Sequence, residues 1–369
     1  MKNMRIKILI MFTLIGVKFY GQTNNAITTI APFLNIVTDA RAAGMGDVGV
    51  ASSADGNALY HNASKLVFHR SEVNIAINYT PWLRNLTDDI YIANLTYQQK
   101  IDDRSAFSGG IRYFDYGDIE LSNRSGTTNA QPIIAKAYEL ALEGAYALKL
   151  SDHYSMAVAM RYVRSDLDLT GTNLQDARPS NGFAVDISGY YISDEMAFSQ
   201  FNGVARAGFN ISNIGPKVDL LASEGFLPTN LKLGGGFDFI VDDYNQVGIT
   251  LELTKLLVPT VDGKDQNFIE GIFSSFGDAP QGFKEELQEI TLGLGAEYLY
   301  NNSFAFRAGY FKEHEAKGNR NFLTLGAGFK ASSFNVDLSY LRSISNINSP
   351  LENTLRFSLS FDLGDLYEY

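Results

Sequence analysis

Leu355-Arg356-Phe357-Ser358-Leu359-Ser360-Phe361-Asp362-Leu363, close to the C-terminus, alternates apolar and polar residues without a break. A β-strand points successive side chains to opposite faces, so this stretch has one greasy face and one wet face. The same alternation runs back through the chain as far as residue 71. Val73, Ile75, Ile77 and Tyr79 interleave with Asn74, Ala76 and Asn78. Leu231, Leu233, Phe237 and Phe239 interleave with Lys232, Gly234, Gly236 and Asp238, and Ile290, Leu292, Leu294, Ala296 and Tyr298 with Thr291, Gly293, Gly295 and Glu297. Fourteen such segments can be marked, at 71–80, 89–101, 104–116, 135–150, 153–168, 181–193, 202–213, 231–241, 244–256, 288–300, 303–313, 320–331, 333–344 and 353–365. Each is near the ~9–11 residues that cross a bilayer as a tilted strand. A soluble sandwich must cover every apolar face with a second sheet. A membrane barrel turns that face to lipid and the polar face to a lumen.

The connections sort by parity. After even-numbered segments they are tight: Asp102-Asp103, Ser151-Asp152, Asp242-Asp243, Asn301-Asn302 and Ala331-Ser332, with a longer one from Asp194 to Phe201. After odd-numbered segments they are mostly long, as at 214–230 and 257–287. Outer-membrane barrels have short periplasmic turns and longer external loops. The expected fold is therefore all-β: a fourteen-stranded antiparallel transmembrane β-barrel over 71–369, both ends periplasmic, with long external loops after the odd strands.

The rest of the composition agrees with export to that membrane. Lys2, Arg5 and Lys7, then the apolar run Ile8 to Val17, then Gly21 before Gln22, read as a signal peptide over 1–21. That apolar run is too short to span, and no later run reaches the ~18 residues of a transmembrane helix. The 369 residues contain no cysteine, which excludes disulfides, zinc–thiolate sites, a cysteine nucleophile and a lipidated N-terminal cysteine. A net charge of −11 argues against nucleic acid as a partner. An exported, cysteine-free, alternating chain points to the outer membrane of a Gram-negative cell.

Residues 22–70 do not alternate. Asp39 to Ala51 and Asp55 to Leu66 read as compact and partly helical, and a non-strand segment before the first barrel strand most simply fills the lumen as a plug or hatch. Its string Arg41-Ala42-Ala43-Gly44-Met45-Gly46-Asp47-Val48-Gly49-Val50-Ala51, with the lead-in Ala31-Pro32-Phe33-Leu34, resembles the N-terminal motif of the PorV/PorQ group of Bacteroidetes outer-membrane proteins. Tyr79-Thr80-Pro81-Trp82-Leu83-Arg84-Asn85-Leu86 and Arg161-Tyr162-Val163-Arg164-Ser165-Asp166-Leu167 extend the resemblance, which runs over essentially the whole mature chain. One departure is Asn62-Ala63-Ser64, where the group often has Asn-Pro-Ala.

The resemblance implies a barrel similar to FadL-type transporters, with an N-terminal hatch. It also implies a part in type IX secretion: receiving cargo with a C-terminal signal domain at the translocon barrel and passing it to a surface sortase complex that attaches it to lipopolysaccharide. Outer-membrane lipid and lipopolysaccharide are thus expected partners. Two other functions stay open. One is a FadL-like transporter of hydrophobic small molecules, for which a kink at Gly109-Gly110 in the third strand would open the wall. The other is lipopolysaccharide deacylation, a role suggested within the group.

Catalytic signatures are lacking. There is no Gly-x-Ser-x-Gly, P-loop or His-Glu-x-x-His, and His61, His69, His153 and His314 stand singly. No enzyme activity, metal or cofactor is expected. Two sets of candidate residues remain. By alternation, Glu139, Glu143, Asp186, Arg206, Asp238, Glu252, Glu297, Arg307 and Arg356 face the lumen, either as a network tying wall to plug or as a polar path. Partner-binding candidates are Pro81, Trp82, Leu83 and Arg84, and apolar residues of two external loops: Leu220, Leu221, Phe226 and Leu227, and Phe268, Ile272, Phe273 and Phe276, which share helical spacing with Ile269. The two loops should lie together on one rim, either exposed for a partner or folded inward as a lid. Tyr79, Trp82, Tyr298 and Tyr340 are expected in the aromatic girdles.

Overall fold

The computed structural model describes residues 26–121, 133–167, 179–220, 223–260, 266–345 and 349–366; residues 1–21, expected as a signal peptide, lie outside them. Fourteen long antiparallel strands form the wall: β1 (Ser71–Pro81), β2 (Tyr91–Lys100), β3 (Ser105–Leu121), β4 (Ile133–Ser151), β5 (Tyr154–Leu167), β6 (Ser180–Ile192), β7 (Asn202–Ile214), β8 (Asn230–Ile240), β9 (Asn245–Leu256), β10 (Ile290–Tyr300), β11 (Phe304–Lys312), β12 (Asn321–Lys330), β13 (Phe334–Ser343) and β14 (Leu355–Leu366). Each pairs with its sequence neighbours, and β1 pairs with β14 from Val73↔Leu363 to Tyr79↔Phe357, which closes the barrel. The two-residue strand Met196–Ala197 folds back on β7 within the sixth turn, and Val218–Leu220 with Ser223–Gly225 makes a small hairpin in an external loop.

Side-chain facing follows the alternation. On β1, Asn74, Ala76, Asn78 and Thr80 are buried while Ile77 and Tyr79 are exposed on the outer surface. On β14, Arg356 and Ser358 are buried inside and Phe357, Phe361 and Leu363 are exposed. The tight turns use side-chain oxygens and left-handed backbone. Asp102 accepts hydrogen bonds from the N–H groups of Arg104 and Ser105, at 2.8 and 2.7 Å. Asn301 and Asn302 both have positive φ (51° and 49°), the geometry of the two-residue turns that match strand twist.

Two departures from expectation bear on function. β3 and β4, at 17 and 19 residues, are longer than a bilayer needs and rise beyond it on the external side. Gly109 and Gly110 carry no kink. They pair in unbroken register with Tyr97 and Thr96 of β2 and with Gly144 and Glu143 of β4. Gly110 instead makes room for the interior, since a Cβ there would lie 2.7 Å from Leu59 Cδ2. The bulge in β3 falls later, between Asp115 and Asp118.

Residues 26–70 fill the lumen. They form two short 3-10 helices, Pro32–Asn35 and Ala63–Phe68, and two short α-helices, Ala40–Gly44 and Ala58–His61. Asp39 caps Ala40–Gly44 by accepting from the Ala42 N–H. Leu59, Leu66, Val67 and Phe68 pack on small inward residues of the wall, among them Ala106, Ala145, Ala147, Ala157 and Ala159. The motif glycines lie where backbone meets backbone. Gly46 has φ +72°, and a Cβ on it would sit 2.7 Å from the Tyr310 carbonyl oxygen. Across the contact, a Cβ on Gly309 would meet the Gly46 nitrogen at 1.9 Å. Only glycine on both sides permits this approach.

Candidate functional site

All nine lumen-facing charges are buried. Several touch residues 26–70 directly. Glu252 accepts from the N–H groups of Gly49 and Val50, at 2.7 and 2.8 Å, and pairs with Lys232 at 3.0 Å. Glu297 pairs with Arg41 at 2.8 Å and Arg307 at 3.0 Å; Arg41 reaches on to Asp55 at 2.7 Å, and Arg307 to Asp337 at 2.7 Å. Asp55, Arg41, Glu297, Arg307 and Asp337 thus form one alternating chain of charge from plug to wall. Arg356 lies 3.8 Å from Asp47. Other members bond within the wall: Arg161 between Glu143 and Asp186, each at 3.0 Å, and Arg206 with Asp238 at 2.6 Å. Glu139 accepts from the Tyr116 hydroxyl at 2.7 Å. Isolated charges in a low-dielectric interior are costly, and pairing offsets that cost.

Four residues that hold the plug were missed as site residues by the sequence reading. Arg112 donates to the Phe33 and Leu34 carbonyls at 3.2 and 2.7 Å. Its place between Ile111 and Tyr113 was the available signal. Arg41 and Asp55 sit in the aperiodic segment, where facing cannot be read. Asn62, at the departure from the group's Asn-Pro-Ala, accepts from the Ser64 N–H and donates to the Val50 and Gly189 carbonyls. The local turn is held by that side chain without proline.

The histidines fall into separate surroundings. His61 bonds Asp39 at 2.6 Å and its other ring nitrogen lies against Gly49. His69 is buried beside Ser71 and Asp362. His153 and His314 lie in a turn and a loop. Among the described residues no group of three or more His, Asp or Glu could hold a metal ion.

At the external rim, the partner-binding candidates divide. Pro81 is buried at the end of β1, and Leu83 is half-buried with φ 54°. Trp82 is not a girdle residue. It is half-buried and packs on a cap of Phe33, Leu34, Ile92, Phe114, Val218 and Leu227 over the lumen. Arg84 is exposed. In the first loop Leu227 is buried in that cap, and the Phe226 carbonyl accepts from the Ile30 N–H at 2.8 Å, so this part of the loop is a lid. Leu221 and the side chain of Leu220 lie outside the described residues.

The second loop is different. Its helices Phe268–Ser274 and Phe283–Gln288 stand beside the lid, and a Cβ on Gly271 would meet the Phe226 ring at 2.7 Å. Phe268 and Ile272 are half-buried, so the exposed stripe is turned from the one expected. It consists of Ile269, Phe273 and Phe276, continued by Phe283 and Leu287, with Phe273 at 74% and Phe283 at 78% exposure. The last two are one helical turn apart but were hidden in a sequence rich in charge.

This platform is held firmly from below. Lys255 pairs with Glu286 at 2.9 Å and Glu289 at 2.6 Å, and Lys317 with Glu285 at 2.7 Å and Glu289 at 3.0 Å. Burial opposes ionisation of Glu289, but hydrogen bonds from Lys255, Thr260 and Lys317 outweigh it and hold the carboxyl below its ordinary value. Burial likewise opposes the charge on Lys317, and its bonds to Glu285 and Glu289 raise its pKa. Asn267 and Glu270 close a capping box on the first helix.

The Pseudomonas putida toluene transporter TodX aligns with a TM-score of 0.51 and 11% identity, over 87% of this chain and 96% of that one. The monoaromatic hydrocarbon channel CymD aligns at 0.51 and 13% identity, over 89% and 98%. A TodX variant described as the deltaS2S3 mutant aligns at 0.55 and 12% identity, over 87% and 97%. At such identities the likeness concerns the fold: a closed transmembrane barrel with this strand order. No curated protein matches the sequence. The family model described as type IX secretion system protein PorV matches residues 19–263, through β9 and short of the two platform helices. That match covers most of the chain, the plug motif included; the chain belongs to the PorV family of type IX secretion outer-membrane proteins.

Proposed function

We propose that this barrel receives secreted proteins bearing a C-terminal signal domain at the type IX translocon barrel and delivers them to the surface sortase and attachment complex. The observation that carries the reading is the external platform of Ile269, Phe273, Phe276, Phe283 and Leu287. Exposed apolar patches on external loops mark interaction sites, because water contact there is unfavourable. The Lys255 and Lys317 bridges pre-order the patch, so little entropy is lost when a protein partner docks. The runner-up, a transporter of hydrophobic small molecules, has less support: β3 is unkinked at its glycine pair, and the inner glycines are occupied by plug backbone. We read the chain as non-enzymatic, like the barrels it resembles.

The test is Phe273→Asp with Phe283→Asp in one protein. Both side chains are solvent-exposed, so the folded, heat-modifiable barrel should survive. Co-purification of translocon and cargo from outer membranes, followed by mass spectrometry, should fall sharply, and surface attachment of cargo should fail. Undiminished co-purification with normal attachment would overturn the assignment of this platform.

A further inference from the structure

The long ends of β3 and β4 carry a second feature, on the outside of the wall. A cavity of about 360 Å³ opens there, lined by Tyr113, Asp115, Lys136, Tyr138 and Asp166 among others. It opens away from the lumen, because the flanking residues Arg112, Phe114, Glu139 and Ser165, none of which lines it, are the buried, inward ones. Its height is set by register. Pro81, Tyr91, Asp115, Tyr138 and Asp166 are successive cross-strand partners on β1 to β5, forming one row around the external end of the wall. Tyr79, Tyr91, Tyr113 and Tyr138 contact ring to ring in sequence, with centroids 5.6, 6.2 and 5.7 Å apart. Such an aromatic girdle lies at the headgroup level of the leaflet.

The cavity exists because β3 bulges. The register shifts between Asp115 and Asp118, Gly117 has φ +70°, and Asp89 accepts from the Asp118 N–H at 2.9 Å. Bulges next to sites re-aim side chains. Here the result is a pair of tyrosine rings inclined at 26° with carboxylates fixed beside them. Asp115 accepts from the Gly117 N–H at 2.8 Å and the Tyr113 hydroxyl at 3.3 Å. Asp166 accepts from Arg164 at 2.9 Å and the Tyr138 hydroxyl at 3.3 Å. The Lys136 side chain is exposed at the rim and makes no hydrogen bond or ion pair among the described residues.

Aromatic faces suit the C–H face of a sugar ring, and fixed carboxylates accept from its hydroxyls. With Asp115, Asp118 and Asp166 against Lys136 and Arg164, acid outnumbers base, which favours a hydroxyl-rich ring over a bare phosphate. We infer that this cavity binds the saccharide headgroup of a glycolipid in the outer leaflet. The inference rests on the membrane placement of the barrel and is independent of the cargo-delivery reading.

The test uses the full chain in lipid nanodiscs. Titration with a rough-type lipopolysaccharide should show saturable binding, weakened at least tenfold in Asp115→Asn with Asp166→Asn, which preserves shape. Tyr138→Leu should weaken it comparably, and heat-modifiable mobility reports whether each variant is folded. Titration with the deacylated core oligosaccharide separates the two sources of the sugar. Binding of both probes, lost in the variants, makes the ring itself sufficient; binding of the glycolipid alone, lost in the variants, adds the acyl chains to what is recognised. No binding of either probe, equal binding of an anionic lipid without sugar, or unchanged affinity in the folded double Asn variant would overturn the inference.

Discussion

Ser358 and Leu359 are neighbours in sequence and lie on opposite sides of a wall one residue thick. Ser358 is buried, accepts from the Ala40 N–H at 2.7 Å and donates to Asn78 at 2.5 Å. Leu359 faces lipid. The same new charge therefore does different damage at the two positions. Leu359→Arg places a guanidinium in hydrocarbon at a cost of ~2–4 kcal/mol near mid-membrane, and the yield of folded barrel should fall. Ser358→Arg has no room beside Ala40 and should displace the plug while the wall still closes. Heat-modifiable mobility reads the first effect, and protease sensitivity of residues 26–70 the second. Equal loss of folded barrel in both variants would contradict the facing assigned here.

At the scale of elements, the decisive contact is between the turn at Met45-Gly46 and the glycines of β10 to β12. Cβ atoms at Gly295, Gly309 and Gly326 would meet plug backbone or the Met45 side chain within about 3 Å. Gly309 is the tightest, with backbone atoms at 1.9 and 2.2 Å that cannot rotate away. Gly309→Ala should therefore unseat the turn, lowering the thermal midpoint of the folded barrel and raising hydrogen exchange at residues 44–50. Gly144→Ala is the matched control, since a Cβ there meets nothing within 4 Å and Gly144 faces outward. If the two substitutions behave alike, close approach is not what these glycines provide.

For the whole molecule, the interior is filled from wall to wall, and planar-bilayer recording of the wild-type protein should show little or no steady conductance. Large ohmic steps would mean that the plug leaves readily. Most of this architecture was legible in the sequence, because lipid on one side and plug on the other impose a two-residue period on every strand. Segment 71–80 against Ser71–Pro81 and 244–256 against Asn245–Leu256 differ by a residue. The nine charges that the same period turns inward are buried in the structure. The loops were not legible in that way. An apolar loop residue can bury itself on the plug, as Trp82 and Leu227 do, or stand exposed, as Phe273 and Phe283 do, with nothing periodic to separate the cases. The bulge beyond Asp115 was equally hidden, because it falls at the end of the segment read as strand, 104–116, with too little chain beyond it to show the change of phase.

The bond from Ala40 to Ser358 joins residues 318 positions apart. The segment that fills the lumen is made long before the last strand that encloses it. Until then Phe33, Leu59, Leu66 and Phe68, all buried at the end, have no wall to lie against. Until the wall closes, this chain therefore carries an unsheltered apolar head. Closing the wall and burying that head are therefore one event, because the contacts that seat the plug include the last strand.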